Sequence, residues 1–164
     1  GYFESHIKPH VDGKFIEFLG EADLTAKNEL LGNAMAMLFP IQWNEPFGLV
    51  MIEAMATGTP VLALPGGAVR EVVADGVSGW VCNSVDEMVE KARQIESAFD
   101  PSTVRCYAET HFSVERMVNE YAALYQRIAT GAESPQRTAR SKITVVGEKI
   151  DPFSIEPGEP RAIA

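Results

Sequence analysis

The stretch Met35–Leu64, MAMLFPIQWNEPFGLVMIEAMATGTPVLAL, holds one complete strand–helix–strand unit. Met35–Phe39 is a continuous apolar run ended by Pro40, the pattern of a strand buried on both faces. Gly48–Ala56 has the length and the residue types of a helix, and Thr57-Gly58 stops it. Pro60–Leu64 then reads as a second buried strand. Strands alternating with helices in this way predict parallel pairing, because the helix returns the chain to the starting edge.

The same alternation extends outward. Upstream, the turn Asp12-Gly13 leads into a short predicted strand, Lys14–Leu19, and Thr25–Ala34 reads as a helix capped by Asp23 or Thr25. Downstream, Ala68–Ala74 gives a short helix, and Gly79–Cys82 gives a strand after the Asp75-Gly76 turn. Ser84-Val85-Asp86-Glu87 is a capping box that predicts a helix from Val85 to about Ala98. Asp100-Pro101 supplies a cap and a first-turn proline for the next helix. Ser113 caps a last one ending near Ala129, with Met117, Tyr121, Leu124, Tyr125 and Ile128 as its packing face. The expected fold is α/β, an open parallel sheet with helices on both faces.

Bulk properties narrow the function. Apolar residues make up 46% of the 164-residue chain, enough for one sizeable core. The formal net charge is −9 with no basic stripe, which argues against nucleic acid and against an anionic membrane surface. No apolar run approaches the ~20 residues of a transmembrane segment. The N-terminus has no signal-peptide pattern and no initiator Met, and it opens as if within a helix, so the chain is read as a fragment. Cys82 and Cys106 lack metal-site spacing and are expected to be reduced, mostly buried thiols of a cytoplasmic protein. His6, His10 and His111 show no ligand spacing, so no metal is expected. Residues 1–130 form the expected domain. The composition of 131–164 shifts to Pro, Gly, Ser and charge, with Lys142–Val146 as its one strand-like patch. This tail is expected to be disordered or pinned to a partner surface.

In an open parallel sheet, ligands bind outside the carboxyl ends of the strands. The loop Pro40–Gly48 runs from such an end to a helix start, where unpaired amides and the positive dipole end suit a phosphate. Gly48 lets the backbone come close. Two carboxylates bracket this start. Glu45 precedes it, and Glu53 lies about 7–8 Å along the helix axis. Glu53 is the sole charge in an otherwise apolar helix, so its carboxylate needs hydrogen-bond donors. Spacing alone leaves two sources open: a nucleoside diphosphate sugar, or neighbouring protein groups with Glu45 a solvated loop charge. Trp43 and Phe47 flank the loop and are expected to be buried. Arg70 is read as an exposed helix position.

The run Glu45-Pro46-Phe47-Gly48-Leu49-Val50-Met51-Ile52-Glu53, continued to Val61, resembles the Glu-x7-Glu signature of the family 4 retaining glycosyltransferases. The likeness extends to Phe18-Leu19-Gly20-Glu21, Gly66-Gly67-Ala68-Val69-Arg70-Glu71 and Asp75-Gly76-Val77-Ser78-Gly79-Trp80. It covers about Tyr2 to Ile128 and stops before the tail. The resemblance implies the Rossmann-like, donor-binding half of a GT-B fold. It implies that Glu45 meets the donor sugar as the catalytic-site carboxylate, that Phe47, Gly48, Leu49 and Val50 meet sugar and phosphates, and that Glu53 holds the ribose diol. Gly20 and Lys27 would line the base, and Gly67 would lie on the next strand–helix turn. The substrate would be a nucleoside diphosphate sugar, transferred with retention and with no metal or other cofactor. In the family, the Arg and Lys that neutralise the diphosphate precede the first residue here, and a separate N-terminal domain brings the acceptor. The chain alone is therefore expected to be inactive. Two other readings stand beside this one: a non-catalytic Rossmann-like interaction module, and part of a GT-B-type sugar-nucleotide epimerase.

Overall fold

A computed structural model describes residues 1–131, so the tail expected over 131–164 lies outside the described residues except for Gly131. The chain divides into two units, Gly1–Ala122 and Ala123–Ala164. The described part of the second is the end of the last helix and the turn after it.

The first unit is built on three parallel strands in the order β1-β2-β3: β1 Met37–Phe39, β2 Val61–Ala63 and β3 Gly79–Val81. Met37 pairs with Val61, and Leu62 with Trp80. The helices are α1 Leu24–Asn33, α2 Leu49–Ala56, α3 Val69–Val72, α4 Val85–Ala92, α5 Pro101–Phe112 and α6 Val114–Ala129. Side chains alternate across β2 because successive strand residues face opposite ways. Val61 and Ala63 join Met51, Ala54, Met55, Val69 and Val104 in one buried cluster. Leu62 joins Cys82, Met88 and Ile95 in another. Helices thus cover both faces, as the alternation in the sequence implied. The helices α1, α2, α3 and α5 supply the first cluster, and α4 supplies the second.

Side-chain caps set the helix starts where the sequence placed them. Asp23 accepts from the amide of Ala26 at 2.8 Å, Ser84 from Glu87 at 3.1 Å and Asp100 from Thr103 at 3.0 Å. Each satisfies one of the first-turn amides that has no partner inside its helix. Ser113 does the same for α6 through the Arg116 amide at 3.3 Å.

Several expectations need correction. Lys14–Leu19 is not a strand. The Asp12 carboxylate accepts from the amides of Lys14, Phe15 and Ile16, which curls the backbone into a side-chain-closed turn. Such local bonds compete with sheet pairing, and Phe15 is left 82% exposed. The same amides hold the Asp12 carboxyl below its ordinary range. The strand predicted over Met35–Phe39 is shorter, and this edge strand is not buried on both faces: Leu38 is 55% exposed. Helix α4 ends at Ala92, and a separate 3₁₀ turn, Ile95–Ser97, follows. The break lets Ile95 turn into the cluster that already holds Met88. Cys82 is buried, and desolvation pushes its thiol above the ordinary range, but Cys106 is exposed on α5. On α6, Met117 and Tyr121 are exposed.

Candidate donor-binding site

The loop from β1 to α2 and the turn from β2 to α3 both leave the carboxyl ends of their strands, so chain order brings them to the same side of the sheet. They are packed together. The amide of Ala68 donates to the carbonyl oxygen of Glu45 at 2.8 Å. Gly67 adopts φ +54°, and a Cβ there would lie 2.6 Å from the Glu45 nitrogen. A Cβ on Gly66 would lie 2.7 Å from the Trp43 carbonyl oxygen. The two glycines therefore exist to let one backbone lie on the other.

The loop enters α2 through Gly48, at φ +78° and ψ 60°. Residues with a Cβ avoid this left-handed conformation, and a Cβ would also crowd the Glu45 side chain at 3.3 Å. No side chain caps α2. Its first turn, Leu49 and Val50, therefore begins without the side-chain partner that Asp23, Ser84 and Asp100 give to other helices, an arrangement of the kind that suits an anion. The helix is less enclosed than its composition suggested: Met51, Ala54 and Met55 are buried, but Leu49 and Ala56 are exposed.

Glu45 is half-buried, and its carboxylate accepts from the Phe47 amide at a long 3.5 Å. Glu53 is also half-buried, and Lys27 Nζ on α1 donates to its Oε1 at 2.6 Å. Of the two sources of donors for Glu53, a protein group therefore supplies one. Trp43 and Phe47 were expected to be buried, yet they are 65% and 45% exposed. The tight seam with Gly66 and Gly67 uses the loop's backbone and leaves these rings outside. Phe47 meets Phe112 edge-on, with ring centroids 6.3 Å apart. The two rings help line a groove of about 360 Å³ with Leu49, Ile52 and Met117.

Glu45, Phe47, Gly48, Leu49, Val50, Glu53, Lys27 and Gly67 are thus linked through α2 and the two turns beside it. Gly20 lies outside α2 and these two turns. It turns at φ +68° in the irregular run before α1, with open space where a Cβ would point. Arg70 is exposed, as expected. Among the described residues, no group of three or more His, Cys, Asp or Glu side chains is placed to hold a metal ion. None of the helices among them is long and apolar enough to cross a membrane.

Residues 3–105 match the family described as Glycosyl transferases group 1, more than half of the chain. The chain belongs to that family. It is 31% identical over 123 residues to the N-acetyl-alpha-D-glucosaminyl L-malate synthase of Bacillus anthracis, covering 71% of this chain and 31% of that protein. It is 42% identical over 85 residues to the phosphatidyl-myo-inositol mannosyltransferase of Mycobacterium leprae, covering 51% of this chain and 23% of that protein. Among solved structures, Anabaena HepE in complex with UDP and glucose matches with a TM-score of 0.57 and 27% identity, over 68% of this chain and 32% of that one. The chain spans a third or less of the length of each of these relatives. The three parallel strands and their flanking helices are the Rossmann-like α/β architecture of a GT-B glycosyltransferase.

Within this group 1 glycosyltransferase domain, sequence reasoning missed two features. One is the Lys27–Glu53 pair, whose members stand 26 positions apart with no local pattern joining them. The other is the Glu45–Ala68 backbone bond. The Gly66-Gly67 doublet was its available signal, since adjacent glycines mark a close backbone approach.

Proposed function

We propose that this chain is the donor-binding part of a glycosyltransferase that moves a sugar from a nucleoside diphosphate sugar to an acceptor, with retained anomeric configuration. The observation that carries this reading is the bracket of Glu45 and Glu53 around the uncapped start of α2. The diphosphate sits on the first-turn amides Leu49 and Val50, with Gly48 and Phe47 letting the backbone close on it. Glu45, before the helix start, accepts hydrogen bonds from the sugar hydroxyls. Glu53, beyond it, accepts from the ribose diol. Gly67 keeps the Glu45 backbone in register.

In transfer, the bond from the anomeric carbon to the β-phosphate oxygen breaks, the acceptor hydroxyl oxygen bonds to that carbon on the same face, and the hydroxyl proton passes to the departing diphosphate. Charge builds on the departing diphosphate, and the helix end is aimed at it without reorganising. This stabilisation asks for no metal. The crystal structures of HepE in complex with UDP, with UDP and glucose, and with UDP-glucose support a nucleotide-sugar ligand for the same fold. Residues 1–130 act as the donor-binding domain, and the partner they require is a second, acceptor-binding domain. We place the reaction in the cytoplasm.

Calorimetry of the 164-residue chain against UDP, GDP and ADP, and against their sugar conjugates, tests this reading. The expected result is weak but saturable binding of one nucleoside diphosphate and its sugar, with no transfer by the chain alone. Absence of binding across the whole panel would falsify it.

A further inference from the structure

Glu53 is held by a side chain of the protein itself. Lys27 Nζ lies 2.6 Å from Glu53 Oε1, and the two side chains are only 29% and 38% exposed. Other ion pairs, such as Arg105–Glu109 and Arg116–Glu120, join residues four apart on exposed helix turns. The Lys27–Glu53 pair instead ties α1 to α2. Its lysine sits one turn after the Asp23 cap, where the helix is anchored by the Lys27 amide bonding to the Asp23 carbonyl at 2.9 Å. Both side chains thus project from fixed backbone.

A carboxylate offers about four acceptor directions on two oxygens. Lys27 uses one of them, on Oε1. A vicinal diol needs two, so the remaining directions suffice for both hydroxyls. A carboxylate already fixed in one rotamer loses less conformational entropy when the diol docks.

We propose that Lys27 is the positioning residue for ribose recognition, orienting Glu53 so that the site selects ribonucleoside over 2′-deoxyribonucleoside diphosphates. This inference rests on the reading of Glu53 as the ribose-holding group. Lys27 acts through that carboxylate, and its removal changes sugar-ring selectivity ahead of general affinity.

The test is calorimetry of the full chain with whichever of UDP, GDP and ADP binds best, and with the 2′-deoxy form of the same nucleotide. Wild type is expected to favour the ribonucleotide by about tenfold or more, the scale of one charge-assisted hydrogen bond. Lys27→Met keeps the apolar stem and removes the charge. It is expected to erase most of that preference and to leave affinity for the deoxy form within about twofold. Lys27→Arg should restore part of the preference. Lys27→Met should add nothing in a Glu53→Gln background, because both act on one contact. If Lys27→Met does not fold, Lys27→Gln is read in the same way. Retained preference in the lysine variant, or equal loss for both nucleotides, overturns the proposal. If Glu53→Gln abolishes the preference and the lysine variant keeps it, Glu53 still holds the ribose and only the role of Lys27 fails. A wild type with no preference overturns both.

Discussion

The backbone carbonyl of Glu45 accepts the amide of Ala68 at 2.8 Å, which fastens the loop after β1 to the turn after β2. The residue that carries the first site carboxylate is therefore positioned by a bond its side chain does not make. Its carboxylate remains available, with only a 3.5 Å approach from the Phe47 amide.

That seam makes Gly67 sensitive. In Gly67→Ala, the new Cβ would meet the Glu45 backbone, and φ +54° disfavours any side chain. We expect a destabilisation of about 1–3 kcal/mol and a weaker hold on nucleotide sugar. Urea denaturation and calorimetry on the same variant check both. A variant with the wild-type midpoint would mean that the two turns separate without cost.

The two carboxylates should differ in what they lose. Glu53→Gln should weaken binding of the bare nucleoside diphosphate by about 1.5–3 kcal/mol, the scale for a hydrogen bond to a charged group. Glu45→Gln should leave the bare diphosphate nearly unchanged and reduce affinity for the nucleotide sugar. In the complete enzyme it should also lower the rate constant, since small misplacements of a reacting sugar are costly. Paired titrations with both ligands decide it. Matched losses in Glu45→Gln would show that Glu45 shapes its loop and does not read the sugar.

Thr59 is buried just before β2, and its hydroxyl donates to the Leu31 carbonyl oxygen at the end of α1. Thr59→Val keeps the shape and removes the donor. The Leu31 carbonyl still accepts the Ala34 amide at 3.2 Å, so the expected loss is modest, about 1 kcal/mol. The chemical denaturation midpoint reports it.

Asp100 caps α5, and the hydroxyls of Ser102 and Thr103 together with the Thr103 amide hold its carboxyl below its ordinary value of 3.8. A carboxyl lowered by folding adds stability above its unfolded value and loses it as pH falls through the folded value. The gap in Tm between wild type and Asp100→Ala should therefore be full near about pH 6 and shrink progressively below pH ~3.9. Thermal melts of both proteins across that range test the sign. A gap that widened on acidification would place the cap's contribution elsewhere.

The sequence disclosed features whose cause is local. Ser84, Asp100 and Ser113 cap the helices they were expected to cap, and of the two caps open for α1 it is Asp23 that serves, because a cap needs only its own first turn. The parallel sheet was legible from Met35–Leu64 for a similar reason. What escaped depended on partners distant in sequence. Lys14–Leu19 has strand-like residues, but a strand exists only against a neighbour, and the Asp12 turn claims its amides first. Leu38 reads as core, yet it sits on one of the two outer strands of the sheet and is exposed. Trp43 reads as core by residue type, whereas the loop packs through backbone. In the candidate site, the carboxylate bracket was visible as spacing, but the lysine that grips Glu53 was not.

The exposed turn at Asp12–Leu19 carries a practical consequence for handling the protein. Lys14, Phe15, Phe18 and Leu19 offer trypsin- and chymotrypsin-type cleavage sites on irregular, accessible backbone, the kind of segment that proteases cut first. The buried apolar residues of the described chain all lie at or beyond Leu31. A nick before Asp23 would therefore release Gly1–Leu19 and spare the sheet, the α2 entry and the Lys27–Glu53 pair, so brief digestion can trim the molecule to a smaller core for crystallisation.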